Sequence, residues 1–101
     1  MTDNRRTSTR YDVWIECKMT VNGNPTDCTM TNLSLGGALI SGSKQTMGQR
    51  IQISFRVPTL ENAIDIGAVV RWSDAKGVGV QFDGLRAREV WALNEYFIRL
   101  V

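Results

Sequence analysis

The sequence has no histidine, only two cysteines, only two prolines and no long apolar run. Without histidine the commonest general base is missing, and with it every Ser-His or Cys-His nucleophile pair. Cys17 and Cys28 lack CxxC spacing and, with no imidazole to join them, cannot make the usual four-ligand zinc site from one chain. A disulfide between them is geometrically conceivable, but two buried free thiols packing as small hydrophobes are the expected state. No stretch reaches the roughly 18 apolar residues that would span a bilayer. Thr2 to Arg10 is polar with no apolar stretch behind it, which does not read as a secretory leader. A soluble, cytoplasmic protein is therefore expected. Asp65, Asp74 and Asp83 are scattered over turns and strand ends without a pairing that would support carboxylate chemistry, so no catalytic site is assigned and the chain is not read as an enzyme.

What is present suits one domain: 101 residues, 43% of them hydrophobic, support a single core. The formal net charge of +2 is too small to argue for nucleic acid. Its distribution says more. Arg5, Arg6 and Arg10 stand against only Asp3 in the first ten residues, which makes an anionic partner plausible at that end.

Apolar residues at Val13, Ile15, Cys17, Met19 and Val21 alternate with polar ones, the period of a half-buried strand. Asn22-Gly23-Asn24-Pro25 supplies turn residues, and a second alternating segment runs from Thr26 to Thr31, which together predict a β-hairpin. Short strands are further predicted at Ala38 to Ile40, at Arg50 to Val57 before Pro58, at Ile64 to Trp72, and at Val78 to Phe82 after the turn Asp74-Ala75-Lys76-Gly77. About six short antiparallel strands with one apolar face close into a barrel or fold into a sandwich, because closure removes exposed edges. From about residue 85 the period changes. Val90, Leu93, Phe97 and Leu100 lie at helical spacing, and the resulting amphipathic helix is expected to pack on the barrel or on a partner.

Two polar motifs flank the hairpin. Arg6-Thr7-Ser8-Thr9-Arg10 has the form RxxxR, and Asn32-Leu33-Ser34-Leu35-Gly36-Gly37 has the form NxSxxG. RxxxR alone is a weak pattern, and NxSxxG alone is common in loops. Asn32 and Ser34, two apart at a strand end, are expected on one face, while Gly36 and Gly37 permit positive φ or close approach of backbone to a ligand. Together and in this order, with the strand pattern downstream, the motifs resemble those of the PilZ family, bacterial domains that bind the second messenger cyclic di-GMP. The resemblance covers nearly the whole chain, and Gly77-Val78-Gly79-Val80-Gln81-Phe82 is similar to the family's late strand, its glycine read as a steric allowance beneath the ligand or a barrel bend.

The resemblance implies an all-β fold with a C-terminal helix: a six-stranded antiparallel barrel over residues 11–101, preceded by a basic arm over 1–10. It further implies cyclic di-GMP as ligand and no other cofactor or metal. The ligand presents two phosphates and two guanines, and guanine O6 and N7 match a guanidinium fork in bidentate fashion. Arg5, Arg6 and Arg10 would clamp it from an arm that is mobile when empty and folds over the ligand. Asn32, Ser34, Gly36 and Gly37 would hold it from the barrel, Asn32 accepting from guanine N1 or N2 and the Ser34 hydroxyl meeting a phosphate or ribose. Family members often carry Asp where this chain has Asn32, and the amide keeps an acceptor while removing a charge unfavourable to an anion. Trp72 either flanks a guanine or belongs to the rim of the core. Trp14 is either exposed or packed under a loop, and Trp91 is assigned to helix packing. Arg5, beside the first arginine of the motif, bears on whether one or two ligand molecules bind. The output is expected to pass to an unidentified downstream protein or a change in self-association, in a monomer or weak dimer. The family's usual outputs are motility, exopolysaccharide synthesis and virulence. The alternatives are a PilZ-like adaptor that binds only protein and a nucleic-acid-binding barrel with a salt-sensitive stacking platform.

Overall fold

Residues with apolar side chains at every second position cannot bury them in an isolated strand, and here six such strands bury them against one another by closing into a ring. The structure is a computed structural model that describes residues 9–42 and 44–101. Its elements are β1 (Tyr11–Val21), β2 (Asn24–Leu33), β3 (Gly37–Ser41), β4 (Arg50–Phe55), β5 (Ile64–Asp74), β6 (Gly77–Phe82) and α1 (Ala87–Leu100). The strands form a closed antiparallel barrel in the order β1-β2-β3-β6-β5-β4, with β4 pairing back onto β1. The six-stranded barrel and the terminal helix are those expected, the helix starting at Ala87. Arg5 and Arg6, in the expected arm, lie outside the described residues.

The inward set includes Ile15, Cys17 and Met19 of β1, Met30 and Leu33 of β2, Ile40 of β3, Ile53 and Phe55 of β4, Val70 of β5 and Val80 of β6, all buried. The β1–β2 turn is tighter than the four residues expected. Val21 pairs with Asn24, so only Asn22 and Gly23 turn, at φ 52° and 81°, the two positive values of a type I′ hairpin. Pro25 belongs to β2, opposite Thr20.

α1 is capped by Glu89, whose carboxylate accepts from the Arg86 backbone N–H at 2.9 Å. Leu93 and Phe97 bury its inner face in the barrel core. The Phe97 ring stacks on Tyr11 at the start of β1, with centroids 4.2 Å apart, and Thr59 donates to the Ala92 carbonyl at 2.6 Å. Trp91, assigned to helix packing from the sequence, is instead 59% exposed, because it lies away from the face defined by Leu93 and Phe97. Trp14 is exposed on the outside of β1.

Two register shifts matter for the site. Met30 pairs with Ile40 and Asn32 with Leu39, so Thr31 is an extra residue on β2. Val70 pairs with Val80 and Trp72 with Gly79, so Arg71 is an extra residue on β5. Each bulge reverses the in-out alternation of its strand. Trp72, in step with buried Ile66, Ala68 and Val70, is thereby turned outward. Asn32 leaves the step of buried Met30 and the interior position passes to Leu33.

Because Leu93 is fully buried where the helix meets the barrel, Leu93→Ala is expected to cost about 2–5 kcal/mol of unfolding free energy, read as a lower urea midpoint with the slope unchanged. An unchanged midpoint would show that the helix does not contribute to the cooperative core.

Candidate functional site

A groove of about 460 Å³ runs over the outer surface of β2, β3, β6 and β5 and is lined by Arg10, Asn32, Ser34, Gly36, Gly37, Ala38, Leu39, Arg71, Trp72, Gly79, Val80 and Gln81. That volume lies in the range of small-molecule sites. Every site residue expected from the sequence that falls within the described residues is on this lining: Arg10, Asn32, Ser34, Gly36, Gly37 and Trp72.

The floor is made of residues that leave space. Gly37 pairs with Gln81, and Leu39 with Gly79, on the outer face of the β3–β6 ladder. A Cβ on Gly37 would collide with the Val80 carbonyl oxygen, and a Cβ on Gly79 would occupy the place of the Trp72 indole. The Trp72 ring thus lies against the bare backbone of Gly79, with 39% of the residue exposed. The steric allowance read in the late strand is one for Trp72. Gly36 and Gly37 are not among the glycines with positive φ; Gly37 is needed because β3 runs so close to β6.

Ser34 is 5% exposed, and its hydroxyl is engaged within its own turn. The Oγ accepts from the N–H groups of Gly36 (3.2 Å) and Gly37 (3.1 Å) and lies 3.3 Å from the Gly37 carbonyl, to which it donates. The Ser34 N–H donates to the same carbonyl at 2.9 Å. A hydroxyl has one proton and two lone pairs, so these contacts use its full capacity. In this arrangement Ser34 shapes the turn. Asn32, half-buried beside the β2 bulge, lines the same groove.

Arg71 is the residue that sequence reasoning missed. It reads as the polar partner in a plain alternation, but as the β5 bulge it lies beside Trp72 on the groove. A signal did exist. Counting back from the Asp74–Gly77 turn places Ser73 opposite Val78, whereas counting forward from Ala68 puts Trp72 inside, and the conflict requires one extra residue between them. Lys76 N–H donating to Asp74 Oδ1 at 2.7 Å holds that turn. Among the described residues the lining therefore carries two arginines, Arg10 and Arg71, an aromatic ring and no carboxylate. Such a surface can take a planar anionic molecule, its charge on the arginines and its ring on the indole.

A family model described as PilZ domain matches residues 4–99. The chain belongs to that family. Among solved structures, this PilZ domain is similar to the Bacillus subtilis inhibitor of motility MotI/DgrA, with TM-score 0.74 and 24% identity over 94% of this chain and 50% of that one. It is also similar to Borreliella burgdorferi PlzA, solved in complex with c-di-GMP, with TM-score 0.65 and 24% identity over 81% of this chain and 32% of that one. At such identities the likeness is one of fold, and the chain spans half or less of each neighbour's length. No curated protein sequence matches significantly. Among the described residues no helix is long and apolar enough to cross a membrane, and no cluster of three or more His, Cys, Asp or Glu could hold a metal ion.

The Gly79–Trp72 contact gives a direct test of how the groove is built. Gly79→Ala is expected to lift the indole off β6. In a background with Trp14 and Trp91 replaced by Phe, the remaining emission should shift to longer wavelength and become more accessible to a soluble quencher. An unchanged spectrum would show that Trp72 does not rest on Gly79.

Proposed function

We propose that this PilZ domain is a receptor for cyclic di-GMP, binding it in the groove of β2, β3, β6 and β5. The observation that carries the reading is the juxtaposition of Arg10, Arg71 and Trp72 on a glycine floor, with no carboxylate among the described lining residues to repel an anion. Arg10 and Arg71 offer forks to phosphate or to guanine O6 and N7, and Trp72 offers a face on which a guanine stacks. Asn32 supplies an amide to a guanine edge. Ser34 acts by fixing the turn that presents Gly36 and Gly37. The basic arm, residues 1–10, adds Arg5 and Arg6 and closes the clamp from the side of Arg10. The neighbouring PlzA was solved with this ligand, which agrees with the reading.

The domain works as a cytoplasmic receptor or adaptor, and it passes the signal to a partner protein. Arg10 immediately precedes Tyr11, whose ring stacks on Phe97 of α1. Drawing the arm toward the groove therefore pulls on the residue that seats the helix. A ligand shifts that equilibrium only through contacts it makes better in one arrangement than in the other, which Arg10 is placed to provide.

Isothermal titration of cyclic di-GMP into the folded protein tests the proposal. Saturable binding is expected, and its stoichiometry distinguishes one ligand from a stacked pair. Trp72→Ala should weaken binding by about 1–3 kcal/mol, roughly 5- to 150-fold. Arg71→Ala should weaken it and flatten its salt dependence, and the Arg6→Ala, Arg10→Ala double variant should abolish it. No binding by the folded parent would overturn the receptor reading in favour of an adaptor that recognises only protein.

A further inference from the structure

Cys17 and Cys28 lie away from the groove and have no part in ligand binding. They are directly opposite one another on β1 and β2, with sulfurs 3.1 Å apart. Opposed residues of an antiparallel pair have Cα atoms about 4.5 or 5.5 Å apart, and both spacings fall within the range of a disulfide. Bond formation needs the sulfurs to approach by only about 1 Å, to the usual length of about 2.05 Å. We propose that this dithiol is a site of reversible oxidation, closing to an intrachain disulfide on reaction with a low-molecular-weight disulfide, with Cys28 attacking first and Cys17 resolving.

The surroundings favour that order. Cys28 is half-buried and Cys17 buried, and both border a shallow depression with Glu16, Asp27 and Thr29. Gly42 lies beside Cys28, where a Cβ would rest 3.6 Å from the Cys28 Cβ and the Met19 Cε. The hydrogen bond with Cys17 draws the Cys28 thiol down from its ordinary value, with a smaller contribution from the Lys18 charge, while burial and Asp27 oppose it. The same hydrogen bond, together with burial, pushes Cys17 up. The more accessible sulfur is thus also the one more readily present as thiolate, the reactive form.

In the first step the Cys28 thiolate attacks one sulfur of the small disulfide, forming a mixed disulfide and expelling one small thiolate. The Cys17 sulfur then attacks Cys28, its proton passing to the released thiolate, and the second small thiolate leaves as the Cys17–Cys28 bond forms. Two electrons pass from the protein sulfurs to the small disulfide, which ends as two thiols. The sequence has no third cysteine to compete.

The whole protein is incubated with oxidised glutathione, and its thiols are counted after denaturation. The count is expected to fall from two to none, the mass to drop by two hydrogens, and the cross-linked peptide to contain Cys17 and Cys28. The thermal midpoint should rise, because the bond restrains the unfolded hairpin, and dithiothreitol should reverse every change. Cys17→Ser should accumulate a stable glutathione adduct on Cys28, forming about tenfold faster than the adduct of Cys28→Ser. Two thiols still free in the parent, a persistent glutathione adduct, or a disulfide-linked dimer as end product would overturn the proposal. Equal rates for the two variants would overturn the order of attack.

Discussion

A closed six-stranded sheet gives each residue one of two directions, and one of them is the core. The rest of this molecule depends on that constraint. Interior positions must be apolar and of limited volume, which accounts for Ile40, Ile53, Val70 and Val78 at the centre. A polar or bulky functional side chain has to be on the outside, and where strict alternation would carry it inward, the strand must break step. Thr31 and Arg71 are those breaks. They fall on β2 and β5, the two strands that flank the β3–β6 ladder, so these two breaks frame the groove, while a third register shift lies in β1 between Asp12 and Ile15.

Between the bulges the groove has the opposite requirement. An open face needs strands without side chains standing on them, and Gly37 and Gly79 provide it on the β3–β6 ladder. The Trp72 indole takes up the space above Gly79, converting a depression into a stacking surface. Ser34 acts at one remove, spending its hydroxyl on the turn from which β3 departs. The site is therefore mostly backbone geometry, with a few side chains of strong chemistry at its margins. The free energy for holding it comes from the barrel core rather than from the site. The ion pair of Arg50 with Asp83 is solvent-exposed and adds little.

The helix and the arm meet at one place. Tyr11 and Phe97 are stacked aromatics that join the first described strand to the last element, directly beside Arg10. The covalent neighbour of a groove-lining arginine is thus a packing contact of α1.

The period-two runs, the Asn22-Gly23 turn and the switch to helical spacing after Gly84 together made six strands and a final helix legible from the chain alone, because each is written in local residue order. RxxxR and NxSxxG likewise marked Arg10, Asn32, Ser34, Gly36 and Gly37, since motif residues stay close in sequence. Pairing was not legible in the same way. Arg71 reads as one more polar alternant, and only the offset between Val70–Val80 and Trp72–Gly79 reveals it as a bulge residue on the groove. Trp91 reads as helix core until Leu93 and Phe97 are seen to define the buried face. The proximity of Cys17 and Cys28 follows from the hairpin register, but the lesser burial of Cys28 and the neighbouring position of Gly42 do not. Residue order encodes the period of each element. Which neighbour a side chain meets across a ladder is settled by register, which the turn fixes within the β1–β2 hairpin and which pairing between strands distant in sequence fixes around the rest of the barrel.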